Sequence, residues 1–350
     1  MRIAVIPGDG IGREVIDAAL PALELLDRAF GLDLHCDRFG WGAQEWLATG
    51  TGLPDGALPM LRDEYAAVLL GALGDPRIPD MAHGRAILLG LRRGLDLYVN
   101  YRPMPMPGGG TVELFRENTQ GLYAGVGGTV SRGDEAQVAI DESVYTRDTV
   151  ERFTRYSLGR LRALGCGRAV LVHKANAVPH TGRLWQEVFR REAERFPDIV
   201  VADEYVDAFC YHLVRDPGRY EGVLAPNLFG DIISDIGAAL MGGLGLATSA
   251  SICPETGQAL FEPVHGSAPD IAGKGIANPY AAARCLVLLL EHLGHTEPAR
   301  LLDTCLGAAM GTAAATPDVG GQGTTSGFMD EVMTRLAGEL PGTGEERRTG

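Results

Sequence analysis

Ile3-Ala4-Val5-Ile6-Pro7-Gly8-Asp9-Gly10-Ile11-Gly12 is an apolar, β-branched run that breaks at a proline into three glycines, and a helical pattern then continues to Phe30. A strand that enters a glycine turn at the head of a helix can set backbone N–H groups against a phosphate. The spacing here is GxGxG, whereas the dinucleotide fingerprint of the usual Rossmann domain is GxGxxG. The stretch therefore predicts an α/β fold with a nucleotide-facing candidate at Ile11, and it is only weak evidence for the usual Rossmann domain. Downstream the same rhythm repeats, with a strand-like run at Ala66–Leu70 and a helix over Ala86–Arg93. The Pro/Gly stretch Pro103–Gly110 interrupts it. A second alternating set from Thr111 to Phe229, with strands at Ala169–His173 and Ile199–Ala202, reads as a domain of its own. Gly242-Gly243-Leu244-Gly245 is a return crossing, and helices from Asn278 onward complete the first unit. These boundaries predict a discontinuous large domain, 1–98 with 244–340, around a small domain, 99–243. The residues 341–350 lack an apolar face and are expected to be disordered.

Composition excludes several function classes. A net charge of −14 disfavours nucleic acid or an anionic membrane as partner. No apolar run approaches the roughly 20 residues of a membrane helix. The N-terminus lacks the pattern of a secretory signal, so the cytoplasm is the expected location. Six cysteines (36, 166, 210, 253, 285 and 305) show no CxxC spacing, which leaves no zinc or disulfide framework. An anionic substrate must then be drawn in by a local group of arginines.

Lysine occurs twice, at Lys174 and Lys274, against 29 arginines (31 basic residues less those two). Arginine grips an anion as well as lysine does, but only lysine can be tuned to give up its proton. Lys174, inside Val172-His173-Lys174-Ala175-Asn176, is therefore a candidate base, set against the bland alternative that two lysines survived biased coding by chance. Arg85, Leu88, Leu89 and Arg92 fall at i, i+3, i+4 and i+7, which puts two cations around an apolar floor on one helix face. Viewed alone, this could be an ordinary amphipathic helix. Arg102 closes the strand-like Asp96–Tyr101 and Arg116 closes Thr111–Phe115, so three arginines at element ends suit a di- or tricarboxylate. Asp207, Asp231 and Asp235 form an acidic group, and the last two are one helical turn apart. Hard oxygen ligands of this kind suit Mg²⁺ or Mn²⁺. Gly230, Ile232 and Ile233 make that helix too apolar for a simple solvated face. The polar, glycine-rich run from His265 through Gly266, Ser267, Ala268, Asp270 and Ile271 to Gly273 could wrap a nucleotide. An aspartate at 270 accepts ribose hydroxyls and repels a 2′-phosphate, which favours NAD.

Together, Pro7–Gly12, Leu91-Arg92, Asn100–Pro103, Arg116–Tyr123, His173–Asn176, Asn227–Asp235 and Phe261–Asn278 resemble the β-decarboxylating dehydrogenases that act on isocitrate, homoisocitrate, 3-isopropylmalate or tartrate. The resemblance runs from Ile3 to about Phe328. It implies an isopropylmalate dehydrogenase-like two-domain fold with an active-site cleft between the domains, completed by a second subunit of a homodimer. It assigns Arg92, Arg102 and Arg116 to the substrate carboxylates. Asp231 and Asp235 would hold the divalent metal with the partner's Asp207, and Lys174, also from the partner, would help remove the 2-hydroxyl proton. Tyr123 would protonate the decarboxylated product. Asn176 would touch nicotinamide, while His265, Asp270, Ile271 and Asn278 would hold adenosine.

The substrate has more than one reading. Leu88 and Leu89 look like the isopropylmalate pattern, and Arg85 with Leu91-Arg92 resembles actinobacterial members in particular. Arg116–Tyr123 is closer to the isocitrate, homoisocitrate and tartrate branch, with Gln120 where glutamate is usual. The link from Arg102 to Arg116 is also shorter than typical. The leading expectation is a metal-dependent, NAD-linked oxidative decarboxylase of a 3-alkylmalate. Tartrate, D-malate, isocitrate, homoisocitrate or another 3-substituted malate of a specialised pathway are the alternatives, and a non-catalytic regulatory subunit would be expected to have lost Lys174 or the aspartates.

Overall fold

In the computed structural model, which describes residues 1–340, the chain falls into two compact units. Met1–Leu95, Gly242–Ala250 and the chain from Gly257 form the first, and Asp96–Met241 with Ser251–Thr256 form the second. The tail expected to be disordered, 341–350, lies outside the described residues.

The first unit begins with β1 (Arg2–Ile6), α1 (Ile11–Phe30), β2 (His35–Arg38), α2 (Ala43–Thr49), α3 (Ala57–Glu64), β3 (Ala67–Leu70) and α4 (Ala82–Gly94). β1 pairs in parallel with both β2 and β3. Ile3 to Ile6 and Ala67 to Leu70 are buried at every position, as parallel strands covered on both faces require. α1 buries Val15, Ile16, Ala19, Leu23 and Leu26 and stops at Gly31, whose φ of 62° lets its N–H reach the Asp27 carbonyl.

The second unit contains β4 (Val99–Pro105), β5 (Thr111–Glu117), β6 (Gly121–Arg132), β7 (Glu135–Val144), α5 (Arg147–Ala163), β8 (Arg168–His173), α6 (Pro179–Ala193), β9 (Val200–Tyr205), α7 (Val206–Arg215), β10 (Gly222–Ala225) and α8 (Asn227–Met241). Its strands lie in the order β4-β5-β10-β8-β9; β4 runs antiparallel to β5 and the other pairs are parallel. Trp185, 1% exposed, anchors the packing of α5 and α6, with Phe153 and Tyr145 edge-on to its ring. β6 and β7 form a separate two-stranded ribbon, and every residue of β7 is exposed. The chain then returns through β11 (Thr248–Ile252), β12 (Ala259–Pro263), α9 (Tyr280–His292), α10 (Thr296–Met310) and α11 (Thr325–Glu339), giving the first unit the order β2-β1-β3-β12-β11.

One expectation needs correction. Arg102 and Arg116 do not end their strands: β4 continues to Pro105 and β5 to Glu117, with Arg102 opposite Leu114 and Asn100 opposite Arg116. The charged residues read as stops because charge is costly inside a sheet. Here α8 lies against both strands and supplies polar partners. All six cysteines are free, and no helix among the described residues is long and apolar enough to cross a membrane.

Candidate active site

α8 buries Asn227, Gly230, Ser234 and Gly237 on one face, spaced at three and four residues. Small and amide side chains there let two buried arginines come close. Arg116, 1% exposed, donates from Nε and Nη2 to the Asn227 Oδ1 at 3.0 and 2.7 Å, and from Nη1 to Asp231 Oδ1 at 2.5 Å. Arg102 donates to Asn100 Oδ1 at 2.7 Å and to Ser234 Oγ at 2.5 Å, and its Nη2 lies 3.6 Å from Asp231 Oδ1. The Tyr123 hydroxyl donates to Asp231 Oδ2 at 2.6 Å, and the Arg116 guanidinium sits over its ring at 5.1 Å. Arg102, Arg116, Tyr123 and Asp231 are thus brought together. Asp235 follows one turn later, and its carboxyl is pushed above its ordinary value by partial burial and by the neighbouring Asp231. Ile233 is buried as the apolar reading of this helix requires, whereas Ile232 is 47% exposed.

Lys174 and Asp207 make a second group in the same unit. Lys174 Nζ donates to Asp207 Oδ1 at 2.5 Å and lies over the Tyr205 ring at 5.7 Å. That bond and the first-turn position of Asp207 on α7 hold its carboxyl below the ordinary range. The turn carrying Lys174 is fixed by His173, whose Nδ1 accepts from Ala175 N–H at 3.0 Å and whose Nε2 bonds Asp203 at 2.9 Å. Asn176 follows, exposed. Among the described residues of one chain, no three His, Cys, Asp or Glu side chains are grouped so as to hold a metal. Within a single chain, therefore, Asp207 stays with Lys174 while Asp231 and Asp235 stand apart.

The first unit carries the remaining candidates. Arg92 is 5% exposed and its Nη2 meets Glu262 Oε1 at 2.8 Å, while its Nε is buried without a partner. Leu88 and Leu89 are half-buried and Arg85 is exposed. Ile11 N–H donates to the Ser267 carbonyl at 2.9 Å, which joins the opening glycine turn to the run from His265. In that run Ala268 adopts φ 38° and its carbonyl accepts from Ile271 and Ala272, Gly266 and Asp270 are exposed, and Ile271 is half-buried. His265 is buried, which lowers its affinity for a proton, and its Nε2 has no partner. Asn278 Oδ1 accepts from the N–H of Tyr280, the first residue of α9, and its Nδ2 donates to Asp318 at 3.0 Å. Sequence reading missed Asn100, Asn227, Ser234 and Glu262. Asn227 and Ser234 carried a signal, since they share a helix face with Asp231; Glu262 lies 170 positions from Arg92 and carried none.

Comparison with known proteins gives the family of the chain. The isocitrate/isopropylmalate dehydrogenase family pattern matches residues 2–332. The chain is 41% identical to 3-isopropylmalate dehydrogenase of Thermobifida fusca, covering 96% of this chain and 98% of that protein. It is 42% identical to the Nocardia farcinica enzyme of the same name, over 91% and 98% of the two chains. Among solved structures it resembles isocitrate dehydrogenase from Methylococcus capsulatus, with a TM-score of 0.88 and 36% identity over 96% of this chain and 99% of that one. A β-decarboxylating dehydrogenase from Thermococcus kodakarensis matches with a TM-score of 0.81 and 33% identity over 96% of each. The chain belongs to the isocitrate/isopropylmalate dehydrogenase family.

Proposed function

We propose that this protein catalyses the NAD-linked oxidative decarboxylation of a 3-alkylmalate, best 3-isopropylmalate, as a homodimer in the cytoplasm whose active sites are shared between two copies. The pair Leu88 and Leu89 between Arg85 and Arg92 on α4 carries the substrate reading. An alkyl group loses water favourably against such a floor, whereas the third carboxylate of isocitrate would lose water against leucine side chains that offer it no hydrogen bond. The 3-isopropylmalate names of the curated relatives at about 40% identity support the same choice. In this reading the small domain carries dimerisation and metal binding, and the large domain carries the cofactor side.

The residues fit the groups they would hold. Asp231 and Asp235, one turn apart, with the Asp235 carboxyl raised by partial burial and by its neighbour, offer hard oxygen ligands of the kind a divalent cation takes. Asp207 of a second copy would complete the set. The unpartnered His265 Nε2 and the exposed Asp270 suit the adenosine end of NAD, with Gly266, Ser267, Ala268, Ile271, Asn278 and Ile11 around it and Asn176 toward nicotinamide. When bound, Mg²⁺ or Mn²⁺ supplies a Lewis acid and NAD a hydride acceptor. Arg92, Arg102 and Arg116 grip the substrate carboxylates and fix its orientation. Lys174 takes part in removing the 2-hydroxyl proton. After CO₂ leaves, the Tyr123 hydroxyl returns a proton to the carbon that bore it.

The homodimer is supported by apolar surface left uncovered. Val130, Val138 and Ile140 on the ribbon are 63%, 48% and 52% exposed, and an isolated two-stranded ribbon is marginal in water. Tyr211 and Val214 on α7 are each 56% exposed. A second copy would cover both. The experiment is NADH formation from 3-isopropylmalate, other 3-alkylmalates, isocitrate, homoisocitrate, D-malate and tartrate with Mg²⁺ or Mn²⁺. Preference for 3-isopropylmalate is the expected result; faster turnover of isocitrate or tartrate than of every 3-alkylmalate would overturn the alkyl-pocket reading.

A further inference from the structure

Asp9, in the glycine turn between β1 and α1, is 5% exposed and its carboxyl gathers three separate segments. Its Oδ1 accepts from Ala43 N–H at 2.7 Å, standing in for the side-chain cap that Gly42 cannot give α2. Its Oδ2 accepts from Gly74 N–H at 3.0 Å and meets His83 Nε2 at 2.9 Å. A carboxylate only accepts, so Nε2–H is the donor. His83 is fully buried, and its Nδ1 has no partner. The Asp9 bond is thus the polar tie that this imidazole makes.

His83 lies in the first turn of α4, and the two residues before that helix are strained. Asp80 and Met81 adopt φ of 53° and 51°, in the left-handed region, with no glycine to relieve either. Such positions cost roughly 1–3 kcal/mol each and persist where surrounding contacts over-determine them. His83, Ile87 and Leu91 form the buried face of α4, each 0% exposed, while Leu88 and Leu89 lie on the other side, half-buried. The turn that holds Asp9 is itself packed on the nucleotide candidate. Ile11 N–H donates to Ser267 O, and a Cβ at Gly10 would lie 2.1 Å from that same oxygen.

We infer that His83 is a positioning residue: bonded to Asp9, it pins the strained start of α4 to the cofactor turn and so sets where Leu88 and Leu89 stand against the substrate's 3-substituent. A histidine that merely filled the core would support folding and affect all substrates alike. A pin that aims the leucine pair affects substrates with an alkyl group more than those without one.

This inference rests on the alkyl-pocket reading, and its test separates the two. The quantity is the ratio of kcat/KM for 3-isopropylmalate to kcat/KM for D-malate, with NAD and Mn²⁺, in wild type, His83→Leu and His83→Gln. A ratio is unaffected by the fraction of active enzyme. His83→Leu removes the donor, and the ratio is expected to fall about tenfold, within the discrimination an apolar pocket commands. His83→Gln, whose amide N–H reaches Asp9, should recover most of it. Should His83→Leu fail to accumulate, His83→Asn, too short to reach Asp9, gives the same comparison. A ratio unchanged when the donor is removed, or equal loss in Gln and Leu, overturns the positioning role alone. A wild-type enzyme with no preference for the alkylated substrate overturns the pocket reading and this inference together.

Discussion

Gly230→Ala is the most direct challenge to the arginine site, because it adds one methyl group at a place where the geometry fixes the consequence. A Cβ at Gly230 would lie 2.7 Å from Arg116 Cβ, 2.8 Å from Cγ and 3.3 Å from Cδ. Carbon atoms settle at about 3.5–4.0 Å, so helix or arginine must move by about 1 Å. The atoms met are the stem of Arg116 beside the β5 backbone, not a free chain end, and its guanidinium is held by Asn227 and Asp231. Overpacking costs roughly 1–3 kcal/mol, while replacing glycine by alanine inside a helix returns roughly 1 kcal/mol. The net destabilisation is then only about 0–2 kcal/mol, which leaves the protein folded. A 1 Å misplacement of a carboxylate-gripping group, by contrast, can lower kcat/KM by about 100-fold. Gly237→Ala is the comparison on the same helix face: its Cβ would meet Met104 Sδ at 2.1 Å, a thioether that takes no part in the arginine bonds described above. Steady-state kinetics with 3-isopropylmalate and urea midpoints would be measured on both. Wild-type kcat/KM in Gly230→Ala, or equal losses of activity in the two variants, would refute the claim that α8 sets the position of Arg116.

Three further outcomes are expected. Lys174→Met and Asp231→Asn should each be inactive while keeping wild-type circular dichroism, and co-expressing them should restore about a quarter of wild-type activity, since random pairing gives half mixed dimers with one intact site of two; no recovery would place Lys174 and Asp231 in the same chain's site. Asp75 is held down to about 2 by the Arg77 side chain and backbone N–H. Its contribution to stability is therefore present above its ordinary value of 3.8 and lost as pH falls toward 2. The urea midpoint of Asp75→Asn should lie below wild type at pH 6 and converge with it as pH drops through that window, and a gap independent of pH would rule out this linkage. Trp185→Ala, which empties the junction of Phe153 and Tyr145, should cost about 3–5 kcal/mol in urea unfolding. A loss under about 1 kcal/mol would mean that α5 and α6 are not packed around this ring.

What the sequence made legible was chemistry with a local signature. One of only two lysines in a chain rich in arginine, two aspartates one turn apart and a glycine turn after an apolar run are each read within a dozen residues, and the aspartate pair and the glycine turn lie where their patterns predicted. What it hid were partnerships made by the sheet. Arg102 and Arg116 looked like strand ends because a charge in a sheet interior needs a partner, and the partners, Ser234 and Asp231, come from a helix more than a hundred residues further on. Glu262 meets Arg92 and His83 meets Asp9 in the same way, across 170 and 74 positions. Ile232 marks the opposite failure. Its place between two aspartates made the helix look too apolar for a simple solvated face, yet it is 47% exposed in one chain, and Val130 and Ile140 are more exposed still. One exposed isoleucine needs no cover by itself, but with Val130, Val138 and Ile140 it adds to the apolar surface that a second copy would bury. The segment richest in candidate ligands is therefore also one that a single chain leaves uncovered, and it is this coincidence, more than any single residue, that argues for an active site completed by a second copy.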